Sequence, residues 1–99
     1  MAAQFDLYRM GDGTLVTVLQ SDLLDGLQTR VVAPLIPADQ IGRVMAPLNP
    51  SVQVGAERFL LMPQLAATLT VAELGERVGS LAVMRDEIVR ALDALLSGV

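Results

Sequence analysis

The spacing of the apolar residues changes once along this chain, near residue 81. Before that point, apolar residues alternate with polar ones or form short runs rich in β-branched residues, which is typical of β-strands. From Leu81 they recur every three or four residues, through Met84, Ile88 and Leu92, which is typical of one face of a helix. The pattern predicts a mainly β, α+β fold with a C-terminal α-helix.

Short apolar segments carry the strand pattern, and turn residues separate them. Gly11–Asp12–Gly13 and Gly55–Ala56 are turn formers that predict two hairpins. Pro34 has no amide proton to donate and is expected at a sheet edge or a bulge. We predict one antiparallel sheet of about five strands. Six candidate segments, from which we expect these strands, span residues 4–10, 14–20, 30–36, 51–54, 57–62 and 65–71.

Two stretches are harder to assign. Residues 37–50 are bracketed by prolines and are expected to be mostly a connection, with room for one or two helical turns. Residues 72–80 are ambiguous, because two glycines disfavour one long helix there. The helix is expected over about residues 81–96, with Ser80 as its N-terminal cap.

The residue types that the chain lacks exclude several kinds of site. It has no Cys and no His, which removes disulfides, thiolate metal sites and the commonest general base. It also has no Lys, so its seven cations are all Arg, and its net charge is −4. Such an acidic chain is not expected to bind nucleic acid directly. We predict no metal and no cofactor, and find almost no arrangement typical of an enzyme.

Hydrophobic residues make up 53% of the chain. Charged residues interrupt every long apolar run, so we expect no membrane span, and the first residues do not have the pattern of a secretory signal. We therefore expect a single cytoplasmic domain over residues 1–99. The surplus of apolar side chains predicts a homodimer, whose interface would bury them.

Acidic pairs are expected to be structural rather than catalytic. Asp22 and Asp25 share a loop, where Asp is usually a turn former. Glu73 and Glu76 are expected on a solvated surface. The loop also holds Leu23–Leu24, for which two interpretations stay open: one leucine anchors the loop to the core, or an exposed leucine contacts a partner.

The segments QSDLLD, VQVG and the Gly-aliphatic ending occur in an order that resembles the CcdB family of bacterial toxins. The resemblance is nearly colinear over the whole chain. It implies an SH3-like barrel of the CcdB/MazF type that forms a homodimer, is not an enzyme, and acts in plasmid maintenance. The dimer would bind the GyrA subunit of DNA gyrase, a topoisomerase, and trap its cleavage complex with DNA. A CcdA-like antitoxin would neutralise it.

The resemblance also implies which residues would bind gyrase. They are the loop pair Leu23–Leu24 and the C-terminal group Asp93, Ser97, Gly98 and Val99. The family has Asn where this chain has Asp93, and Trp where it has Ser97. The dimer interface is expected to include Leu95, Leu96 and Val99.

Two alternatives remain open beside this interpretation. The first is an endoribonuclease toxin of the related MazF/Kid type, for which Arg30, Arg43, Arg58 and Arg77 are the candidate cations. The second is a non-toxic homologue that binds the antitoxin.

Overall fold

The computed structural model describes residues 2–45 and 47–98. This part of the chain forms seven β-strands and one α-helix, connected partly by single turns of 3-10 helix. The strands are β1 (Asp6–Arg9), β2 (Leu15–Val18), β3 (Thr29–Pro37), β4 (Ser51–Val54), β5 (Glu57–Leu61), β6 (Ala67–Thr70) and β7 (Glu76–Ser80), and the helix is α1 (Arg85–Leu96).

All strand pairs are antiparallel and belong to one curled sheet with the order β4-β5-β3-β2-β1-β7. The long strand β3 pairs with β2 along one side. On its other side it pairs first with β6 and then with β5. The predicted fold class is confirmed, and the sheet has more strands than the five expected. No helix in the described residues is long and apolar enough to cross a membrane.

Pro34 lies in the interior of the sheet, at the point where β3 changes partner. The β6 ladder ends at Val32 and the β5 ladder starts at Leu35, so Pro34 lies between them. Its carbonyl oxygen accepts a hydrogen bond from the amide of Met62 at 3.0 Å. A residue without an amide proton is tolerated here because neither neighbouring strand needs a donor from it.

The ambiguous stretch 72–80 supplies strand β7, which the sequence did not predict. Gly75 turns the chain into it with φ +85°, a conformation that side chains other than Gly rarely adopt. A Cβ atom at Gly75 would collide with the backbone carbonyl of Arg9, the last residue of β1. β7 therefore pairs closely with β1, with one irregularity in register beside Leu7.

The helix begins at Arg85, four residues later than predicted. A 3-10 turn over Ala82–Met84 comes before it, and the Ser80 hydroxyl accepts a hydrogen bond from the Ala82 amide at 3.1 Å. Ser80 thus bonds to the first amide of this turn, whose N-cap position is Leu81, and does not cap the α-helix. The apolar spacing continues through both elements because Leu81 is buried as well, so the spacing alone does not separate them.

Apolar side chains cover both faces of the sheet at its central strands. Along β1, Leu7 belongs to one buried cluster and Tyr8 to the other. The helix covers the first cluster, where Ile88 is fully buried. The second cluster is closed by Ala2 and Leu74. The central strands β1 and β2 are therefore buried on both sides, whereas β6 and β7 are largely exposed.

A buried carboxylate and a tyrosine make the sheet sensitive to alkaline pH. Asp6 accepts a hydrogen bond from Arg77 at 3.2 Å. Burial, and then the charge of Asp6, raise the pKa of Tyr8 above its ordinary value of 10.0. Because the pKa of Tyr8 is higher in the folded state than in the unfolded state, the contribution of Tyr8 to the free energy of unfolding is fully present below the unfolded pKa of about 10. This contribution is lost as the pH rises through the folded pKa.

We therefore expect the free energy of unfolding to fall above about pH 10, and to fall less in a Tyr8→Phe variant, which has no proton to lose. Urea denaturation between pH 8 and pH 11 measures this. An equal loss in both proteins would show that Tyr8 does not contribute.

Candidate functional site

The loop after β2 presents two leucines to solvent. Its 3-10 turn spans Asp22–Leu24, and the Ser21 hydroxyl accepts a hydrogen bond from the Leu23 amide at 3.1 Å. Leu23 is 93% exposed and Leu24 is 50% exposed. In one protomer neither leucine is buried, so the interpretation in which one of them anchors the loop is wrong, and the loop offers an apolar contact surface.

The buried side chain of Arg30 supports this loop through hydrogen bonds to its backbone. It is buried and has no carboxylate partner among the described residues, and its guanidinium donates to backbone carbonyl oxygens instead. Nη1 donates to Leu27 at 2.6 Å and to Thr29 at 2.9 Å, Nη2 to Asp25 at 3.0 Å, and Nε to Ala2 at 3.2 Å. A planar guanidinium fits such a fan of acceptors, so the loop has one defined shape.

Two further side chains, those of Gln20 and Asp22, form hydrogen bonds that support the loop. The Gln20 amide nitrogen donates to the Thr29 carbonyl at 3.1 Å, and its oxygen accepts from the Val31 amide at 3.1 Å. Asp22 accepts from the Gln4 amide at 2.7 Å. Asp22 therefore serves the structure of the loop, as expected of an Asp in a turn.

We expect Arg30→Met to loosen this loop and to lower the free energy of unfolding by about 2 kcal/mol, because backbone carbonyls lose a charged donor. Hydrogen exchange should rise at the amides of residues 22–28 before it rises elsewhere. Arg9→Met is the matched control, since Arg9 is exposed. Unchanged exchange in the loop of the Arg30 variant would contradict this role.

The end of α1 is a second exposed apolar surface. Leu95 is 38% exposed and Leu96 is 80% exposed, whereas Ala91 and Ile88, about one and two turns earlier, are buried. Exposure therefore increases toward the tip of the helix. The predicted residue Val99 lies outside the described residues.

Ser97 forms hydrogen bonds at the C-terminal end of the helix. Its hydroxyl donates to the Asp93 carbonyl oxygen at 2.9 Å, and its amide donates to the same oxygen at 2.9 Å. The Gly98 amide adds a third bond at 3.1 Å, and Gly98 has φ +76°. The Ser97 hydroxyl thus adds a third donor to a carbonyl oxygen that two backbone amides already contact at the helix end. The Asp93 residue lies on the exposed side.

No polar contact joins the loop to the helix tip in the described part of the chain: no hydrogen bond or ion pair links residues 21–28 to residues 93–98. Leu23, Leu24, Asp93 and Leu96 are each accessible to solvent.

In the second acidic pair, Glu73 and Glu76, Glu73 has a structural role. Glu73 accepts hydrogen bonds from the Thr70 amide at 2.8 Å and from its hydroxyl at 2.9 Å, in a capping box. The Thr70 amide bond lowers the pKa of Glu73 below its ordinary range. Glu76 begins β7 and is exposed. No group of acidic residues in the described part of the chain could hold a metal ion.

Two of the arginines considered as RNA-binding cations, Arg30 and Arg77, already have partners within the protein. Arg30 is occupied by backbone carbonyls, and Arg77 forms an ion pair with Asp6 at 3.2 Å. Arg58 instead lines a pocket of about 330 Å³ together with Glu87 and Arg90 of the helix. No sequence pattern indicates this cluster, because β5 and α1 are far apart in the chain and meet only in the fold.

The chain is similar to known proteins in sequence family and in fold. The family model described as "CcdB: CcdB protein" matches residues 4–98. Among solved structures, the chain is similar to one described as "Endoribonuclease from Mycobacterial species", with a TM-score of 0.78 and 16% sequence identity, covering 95% of this chain and 89% of that one. A comparison with curated proteins finds no match.

The structural likeness corrects one prediction. From the missing His and Cys and from the family resemblance, we predicted that the chain is not an enzyme. The fold is one that an endoribonuclease also has, so the fold together with those absences does not exclude an enzyme.

Proposed function

We propose that this chain, which belongs to the CcdB family, is the toxin of a toxin–antitoxin pair. The observation that carries this proposal is the family match over residues 4–98, which leaves almost no part of the chain outside it. Residues 1–99 then form a single toxin domain. A CcdA-like antitoxin is the expected partner, and the bacterial cytoplasm is the expected place of action.

The proposed target is the GyrA subunit of DNA gyrase. The loop surface at Leu23 and Leu24 and the helix end at Asp93, Ser97, Gly98 and Val99 are the proposed contacts. Exposed leucines on a loop held by Arg30 support this, because a contact surface that is already ordered loses little entropy on binding.

A homodimer is part of this proposal. Leu95, Leu96 and Val99 are the proposed interface, and the exposure of Leu96 supports it, since a large apolar side chain at a helix end is costly to leave in water. Two protomers joined near the helix tips would place two copies of the contact surface on one particle.

Expression in a bacterium tests the proposal. We expect growth arrest on induction, relief by the cognate antitoxin, and relief by a GyrA variant that no longer binds the chain. Relief by the antitoxin but not by any gyrase variant would leave a toxin with another target. Antitoxin binding without arrest in any host with matching gyrase would identify a non-toxic homologue.

A second candidate is an endoribonuclease, and the shared fold is the observation that favours it. Incubation of the purified chain with RNA tests this candidate. Cleavage at defined sites would support it and would redirect the search for the target from gyrase to RNA.

A further inference from the structure

We propose that the turn formed by residues 3–6 is a strained link that couples the loop after β2 to the start of the helical segment. A partner that orders the loop would then also stabilise the other end of the link, at Leu81 and Arg85. This inference rests on the proposed function only in treating the loop as a contact surface, and it does not depend on which protein is the target.

Phe5 has an unfavourable backbone conformation in this turn. The Asp6 amide donates to the Ala3 carbonyl at 3.0 Å, so Gln4 and Phe5 are the two central residues of a tight turn. Phe5 has φ +68°, and it is the only residue other than Gly with a positive φ among the described residues. Turns that need a positive φ at this position usually have Gly or Asn, because a bulky side chain is strained there. Strained residues persist only where their surroundings hold them, and they cluster at ligand clamps and switch regions.

Hydrogen bonds on both sides of Phe5 hold this conformation. The Phe5 amide donates to the Val18 carbonyl at 2.6 Å, and the Phe5 carbonyl accepts from the Leu81 amide at 2.7 Å. The bond whose rotation defines φ lies between these two groups. If φ returned to a negative value, at least one of the two hydrogen bonds would break. The turn therefore has a closed state with both hydrogen bonds and an open state that is relieved of strain.

One end of the turn supports the loop. The Gln4 amide donates to the Asp22 carboxylate at 2.7 Å, and the Gln4 side chain donates to the Leu19 carbonyl at 3.0 Å. Asp22 begins the 3-10 turn that presents Leu23 and Leu24 to solvent. The closed turn therefore fixes the residue next to the exposed leucines.

The other end supports the start of the helical segment. Leu81 is buried and directly precedes the 3-10 turn that leads into α1. The Phe5 ring belongs to the core cluster that α1 covers, and the Arg85 guanidinium lies 6.0 Å from the ring centroid. A cation over an aromatic face is a stabilising contact. Opening the turn would weaken both contacts, so the loop and the first turn of α1 are stabilised together.

The backbone strain at Phe5 makes this coupling effective. It raises the free energy of the closed turn relative to the open one, so the two states are closer in population than they would be without strain. The loss of one hydrogen bond at the loop then shifts the population toward the open turn. A ligand that orders the loop shifts it toward the closed turn.

Amide hydrogen exchange of the chain alone, followed by NMR, tests the coupling. Asp22→Ala removes the acceptor of the Gln4 amide. We expect exchange at the Leu81 amide to become about tenfold faster, because the closed turn loses a hydrogen bond to a charged group. Asp22→Asn keeps an oxygen acceptor and should have an intermediate effect. Asp25→Ala is the matched control, since it removes the same charge from the same loop and the Asp25 side chain forms no hydrogen bond among the described residues.

The reverse direction supplies a second readout. Arg85→Gln removes the cation above the Phe5 ring and should speed exchange at the Gln4 amide about twofold, because the contact that is lost is a weak one. Arg90→Gln is the control, since Arg90 is an exposed residue of the same helix. Circular dichroism of each variant verifies that it is folded.

The Leu61 amide, which donates to the Pro50 carbonyl beside β4, is the internal reference for global unfolding. An unchanged Leu81 amide in Asp22→Ala, an equal change in Asp25→Ala, or an equal change at Leu61 would each overturn the proposal. Because the experiment contains no partner protein, its failure would leave the proposed toxin function untouched.

Discussion

Gly75→Ala should lower the free energy of unfolding by about 3 kcal/mol, one of the largest stability effects expected of a single methyl group in this chain. Two costs add at this position. Gly75 has φ +85°, which strains any residue with a Cβ atom. The new Cβ would also meet the Arg9 carbonyl, which is backbone and cannot move away without breaking the β1–β7 ladder.

Gly55→Ala is the control that separates these costs. Gly55 has φ +62°, but a Cβ atom there would meet nothing within 4 Å. It should therefore lose only about 1 kcal/mol, the cost of the backbone conformation. Urea denaturation of both variants measures the difference. Equal losses would show that the collision with Arg9 is not a significant cost.

Ser97→Trp should increase the affinity for GyrA by about 30-fold, if the helix end is the contact surface, because a buried aromatic anchor contributes about 2 kcal/mol or more at an interface. The variant gives up the bond from the Ser97 hydroxyl to the Asp93 carbonyl, which is exposed and contributes about 0.5 kcal/mol. The backbone bonds from Ser97 and Gly98 to the same oxygen remain, so the helix still ends at the same place.

Isothermal titration of the two proteins into purified GyrA measures this effect. Val83→Trp is the matched control, since Val83 is almost fully exposed in the 3-10 turn that precedes the helix. A gain in both variants would indicate nonspecific adhesion of the indole. No gain at residue 97 would remove Ser97 from the proposed contact.

The alternation of apolar residues predicted the hairpins because each strand must bury at least one face. It did not predict β7, since the turn that admits this strand depends on Gly75 lying against the carbonyl of Arg9, near the other end of the chain. Such a contact leaves no local pattern. The helix start was placed too early for a related reason: buried Leu81 continues the helical spacing through a 3-10 turn.

The sequence predicted some features of the candidate site and not others. Exposure at Leu23 was one of two interpretations that the sequence left open, and it is decided by Arg30, whose side chain bonds to backbone atoms that no residue pattern shows. The hydrogen bond from the Ser97 hydroxyl to the helix end was not predicted. The pocket of Arg58, Glu87 and Arg90 joins two elements that meet only in the tertiary structure.

The proposal that this chain traps the cleavage complex of gyrase is tested most directly with purified gyrase, supercoiled plasmid and the chain itself. Linear DNA should accumulate after denaturation of the enzyme, because a trapped cleavage complex leaves both strands cut, and the cognate antitoxin should prevent it. Absence of linear DNA at saturating concentrations of the chain, with RNA cleaved at defined sites in a parallel reaction, would contradict the proposed gyrase target.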